Sequence, residues 1–213
     1  MKLNLNKLRN TLRNTLKDLW EYVIPIWKIS GLFKRINSKE DLENFIQERS
    51  AHVTQTTLYG YLKTRIGVKY IAMMEDEVFL KSINIAKWNI YMVALADCSF
   101  YVFSYLISEK NLKTNDCKEI FLNIIEKEKK NGLSEQIYNN GKKNFLERYE
   151  KVDFYKYHID DPFKNSGESL YYWSPIADEL KTLDKKIVLN SILLKWGLAK
   201  NEFKKLTKEL NFS

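Results

Sequence analysis

The chain has 213 residues, 45% of them hydrophobic, with a formal charge of +8, seven glycines, three prolines and two cysteines. That length and apolar content suit one sizeable core, and the scarcity of glycine and proline argues against a turn-rich β architecture and for an all-α, single-domain bundle of about six to eight helices. The charge is concentrated: residues 1–35 hold eight basic side chains against two acidic ones, so the body of the chain is nearly balanced and the totals argue against nucleic acid as a partner.

In chain order, LNLNKLRNTLRNTLKDLWEYVIPIW places Leu5, Leu8, Leu12, Leu16, Leu19 and Val23 in one helical stripe with Lys7, Arg13 and Lys17 largely opposite. This predicts a basic amphipathic helix over residues 1–30, kinked or ended at Pro25 and closed by Ser30-Gly31. Its apolar residues are interleaved with Lys, Arg and Asn, which is not the pattern of a secretory signal.

A bundle domain is expected over 38–213. Ser38 and Asp41 form a capping-box pattern that opens a helix running to Ile66, with Gly67 at its end. The segment VKYIAMMEDE leads into a long helix from about Val78 to Ser108, apolar on every side from Ile90 onward. Thr114 is the expected cap of a helix through Lys130, and Ser134 of another that Gly141 interrupts. Residues 153–174 read as a long ordered loop. Ser174-Pro175 reads as a helix start, with Asp184 capping a further helix that Gly197 ends.

Between Asn89 and Ile107 the chain carries one formal charge, Asp97. The stretch is long enough to span a bilayer, but a central Asp costs about 2.5–3.5 kcal/mol to insert, and no second apolar run accompanies it. A buried helix of a bundle is therefore the expectation. A carboxylate buried there needs a partner, and the preceding helix offers a stripe containing Glu48, His52, Thr56, Tyr59 and Lys63, with Arg65 beyond it. The expected buried polar network is Asp97 with His52, Tyr59, Lys63 and Arg65, and its catalytic version makes Asp97 and His52 acid-base partners.

Other chemistries find little support. Two histidines, His52 and His158, are too few for a histidine-rich metal centre, so no metal and no cofactor are expected. There is no G-x-S-x-G turn, P-loop or dinucleotide glycine pattern; Ser166-Gly167-Glu168-Ser169 reads as a turn, and His158 as a surface residue. Cys98 and Cys117 have no C-x-x-C spacing and fit a reducing cytoplasm.

The segments QTTLYGYLKTRIGVKY (Gln55 to Tyr70) and SINIAKW (Ser82 to Trp88) resemble an uncharacterised alphaproteobacterial family of similar length, some of whose members are labelled esterase. The resemblance covers about a quarter of the chain and implies ester hydrolysis without supplying catalytic residues. The residues themselves favour a non-enzymatic cytoplasmic protein, peripheral at the inner face of a membrane or bound to a protein partner. In that reading Leu8, Leu12 and Leu16 dock while Lys7, Arg13 and Lys17 meet anionic groups. The alternative is a small hydrolase or ligand-binding protein using a polar pocket around Asp97 and His52.

Overall fold

The structure is a computed structural model and describes residues 35–210; the basic segment 1–30 lies outside them. The described chain is an all-α bundle. Helix α1 spans Lys39–Ile66. Ser38 Oγ accepts from the Asp41 amide at 3.0 Å while Asp41 Oδ2 accepts from the Ser38 amide at 3.0 Å, so the capping box satisfies two amides that the first turn leaves open. Gly67 ends the helix at φ 60°, a left-handed conformation that favours glycine. Two short turns follow, Gly67–Lys69 and Tyr70–Met73.

Helix α2, Glu77–Lys110, is capped by Asp76, whose Oδ1 accepts from the Phe79 amide at 2.8 Å. It is long and apolar enough to cross a membrane by composition, but 83% of its most apolar window is buried against the other helices. It is the central element. Helices α1, α5 (Lys164–Trp173), α4 (Glu135–Tyr149) and α3 (Cys117–Lys129) all pack on it, and α6 (Asp178–Leu206) closes the bundle against α5 and α1. Arg49 pairs with Glu202 and Arg65 with Asp184, so α6 runs antiparallel to α1.

Aromatic rings tie these layers together. Phe121 of α3 stacks on Phe145 of α4 at 3.7 Å, Phe145 on Phe100 of α2 at 5.0 Å, and Phe163 on Trp196 of α6 at 4.2 Å.

Five features differ from expectation. Helix α3 begins at Cys117 rather than after Thr114, because Asn115 Oδ1 accepts the Cys117 amide at 3.2 Å. Gly141 does not interrupt α4; it lets Met92 lie against the helix, where a Cβ would fall on Met92 Cε and come within 3.2 Å of Cγ. The 153–174 stretch is not all loop, since its second half folds as α5. Ser174-Pro175 starts no helix: Ser174 Oγ bonds back to the Leu170 carbonyl at 2.6 Å and finishes α5, and proline disfavours a helical conformation in the residue before it. Helix α6 then runs unbroken through both Asp184 and Gly197.

Candidate functional site: the buried Asp97 cluster

Asp97 lies on the face of α2 that meets α4, α5 and the 153–163 connection, and it is fully buried. Arg148 Nη2 donates to Oδ1 at 2.5 Å, and the Tyr157 hydroxyl lies 3.1 Å from the same oxygen. Ser166 donates twice to Oδ2, from its backbone amide at 2.7 Å and its hydroxyl at 2.6 Å. Tyr157 accepts from Arg148 at 3.0 Å and donates toward the Pro162 carbonyl at 2.7 Å.

This geometry explains why α5 forms where the sequence reads as loop. The residue at its N-terminus, Phe163, has no side-chain oxygen to cap the helix, and Ser166 lies in the first turn. Asp97 supplies the missing acceptor from another helix, at the end where the peptide dipoles favour an anion. One carboxylate thus anchors α4 through Arg148 and α5 through Ser166.

The electrostatics agree. Burial works against the Arg148 charge, but Asp97 and then Tyr157 outweigh it, so its pKa stands above the ordinary guanidinium value. The Tyr157 hydroxyl is pushed far up, first by burial and then by Asp97. The Arg148 guanidinium also lies over the Phe100 ring, 5.0 Å from its centre.

A second chain of polar groups adjoins this one along α2. His158 is buried, its backbone amide donates to Ser104 Oγ at 2.9 Å, and its Nδ1 lies 2.9 Å from the same oxygen. Its Nε2 is 3.4 Å from Glu109 Oε1. Ser104 Oγ therefore holds both the backbone and the ring of His158. Hydroxyl, imidazole and carboxylate follow in the order of a hydrolytic triad. The Ser104 side chain is nevertheless sealed in the core, so the arrangement latches the 153–163 connection onto α2.

The expected partners of Asp97 are placed elsewhere. Arg65 pairs with Asp184 of α6, which also accepts from the Tyr61 hydroxyl at 3.0 Å. Lys63 is exposed, and Tyr59 packs partly buried against the core. His52 is half buried on α1, and burial first, then the charges of Arg49 and Lys195, hold its pKa below 6.5. The residues that sequence reasoning missed are Arg148, Tyr157 and Ser166, together with the buried position of His158. Helical periodicity gives the face on which Asp97 lies, but nothing local to it indicates which later segment covers that face. Among the described residues no three metal-ligating side chains come together.

Burial also raises both thiols, Cys98 to about 12 and Cys117 well above its ordinary value. Compared with protein families, curated proteins and solved structures, the chain finds no match.

Proposed function

We propose that the protein is a non-enzymatic, cytoplasmic module that binds an anionic membrane surface through its basic amphipathic segment, residues 1–30. The observation that carries this reading is the segregation in that segment: a leucine stripe through Leu8, Leu12 and Leu16, with Lys7, Arg13 and Lys17 opposite and most of the chain's excess charge within it. Such a face gains apolar burial and head-group attraction together. The described body supports it indirectly, because its central acid already accepts three hydrogen bonds, from Arg148 and twice from Ser166, and its two buried thiols suit a reducing compartment. Co-sedimentation with anionic vesicles tests the reading: wild type pellets, and Leu8→Glu with Leu12→Glu in the full chain abolishes pelleting. Equal pelleting of the two proteins removes it. Loss of a co-purifying protein in place of lipid binding transfers the same segment to a protein partner.

A second reading, a small esterase-like hydrolase, takes the Ser104, His158 and Glu109 order as its site and requires the sealed Ser104 to open to substrate. Hydrolysis of short acyl esters that falls in Asp97→Asn, His52→Ala or His158→Ala protein supports this alternative. Absence of hydrolysis by wild type removes it.

A further inference from the structure

The outward face of α6 has no covering element among the described residues. Leu183, Ile187, Leu194 and Leu198 are between 66% and 77% exposed, an unusual state for four large aliphatic side chains of one helix. At about 100° per residue they fall within an arc of roughly 60°, over roughly 23 Å of helix. Asn190 is the polar residue between the two halves of the stripe.

The charges around this stripe are mostly basic, the exposed Glu179 one turn before Leu183 being the exception. Lys186 and Lys195 lie on its two edges and Lys205 continues its line, all exposed. Helix α6 has four acids, and the two beyond the first turn are bound on its inner side: Asp184 by Arg65 and Tyr61, and Glu202 by Arg49 at 2.7 Å. The internal arginines therefore take the carboxylates inward and leave lysines facing out. At one end, Lys181 Nζ reaches the Tyr172 carbonyl at 3.3 Å, and Tyr172 and Trp173 at the close of α5 are exposed. At the other, the Ile36 amide bonds to the Leu206 carbonyl at 3.4 Å and Arg35 pairs with Glu209, so the first described residues lie at the end of α6.

Large aliphatic side chains flanked by lysines match the interface of an anionic bilayer. The same charges disfavour the other occupants. The N-terminal segment is itself basic, and a second copy would set lysine against lysine. We propose that this face of α6 is a second lipid contact, laid on the anionic bilayer alongside the N-terminal segment. The inference deepens, and rests on, the membrane reading above, extending it from one segment to a surface of the folded body.

The test uses the full chain and vesicles of phosphatidylcholine with about 30% phosphatidylglycerol. Ile187→Glu with Leu194→Glu weakens pelleting by about tenfold or more, with an unchanged helical circular dichroism spectrum because both side chains are exposed. Lys186→Glu with Lys195→Glu weakens it at low salt and narrows the preference over pure phosphatidylcholine. Unchanged pelleting of the Ile187/Leu194 variant overturns the inference, and loss in the Leu8/Leu12 variant of the same experiment then leaves the first reading standing. The reverse pattern removes the N-terminal contact and leaves the α6 face as the lipid contact. A wild-type dimer that the Ile187/Leu194 variant dissociates, with lipid binding unaltered, assigns the face to a second copy and also overturns the proposal.

Discussion

Replacing Asp97 by Asn keeps the side chain's size while removing its charge and half of its accepting capacity. In the native protein one oxygen takes the amide and hydroxyl of Ser166 and the other takes Arg148, with Tyr157 beside it. Asn retains one acceptor and turns an NH₂ group toward existing donors, so at least one charge-assisted hydrogen bond is lost, worth about 1.5–3 kcal/mol. Removing one partner of a fully buried pair costs about 3–5 kcal/mol. The Arg148 side chain is 28% exposed, however, and reaches water when released, which places the expected loss at about 2–4 kcal/mol. Urea unfolding followed by circular dichroism measures it through the midpoint at constant m. A double-mutant cycle with Arg148→Met isolates the pair, with an expected coupling of about 1–3 kcal/mol. Hydrogen exchange localises the effect: the Ser166 amide loses protection first, because Asp97 is its acceptor. A loss below about 0.5 kcal/mol, or additive single variants, refutes the view that this carboxylate holds α4 and α5 on α2.

Three further outcomes follow from the structure. His52 has a folded pKa below 6.5, so the unfolded chain binds the extra proton first and stability falls as pH drops through 6.5 toward the folded value. His52→Gln should flatten that acid limb of the stability profile, and an unchanged slope contradicts the assignment. Gly60 and Gly141 both lie inside helices but should respond oppositely to alanine. A Cβ at Gly60 meets nothing within 4 Å, so stability rises by about 0.5–1 kcal/mol, whereas a Cβ at Gly141 strikes Met92 and thermal unfolding shifts down. Both cysteines are buried free thiols, Cys98 with its pKa at about 12, so neither should react with a thiol reagent in native protein at neutral pH. Stoichiometric labelling without denaturant contradicts that burial.

Several features were readable because their causes are local. The Ser38 and Asp41 capping box and Gly67 fix both ends of α1 within a few residues of chain. The apolar run around Asp97 identifies α2 as the helix surrounded by others, since a helix without a polar face has to be enclosed. The Ser134 start of α4 was also legible, as a single side-chain oxygen before a helical run.

What escaped the sequence depends on contacts between distant residues. Helix α5 takes its N-terminal acceptor from a residue 69 positions earlier, and no pattern within 153–174 announces it. Asp184 looks like a cap by residue type but is drawn into the bundle by Arg65, 119 positions away. Asp97 itself makes the division plain. Amino-acid order alone determined that it would be buried and would need a partner, because desolvating a carboxylate is costly in any fold. Only tertiary packing decided that Arg148, Tyr157 and Ser166 would be that partner set, because helical periodicity defines a residue's direction on its own helix and carries no information about which segment arrives opposite.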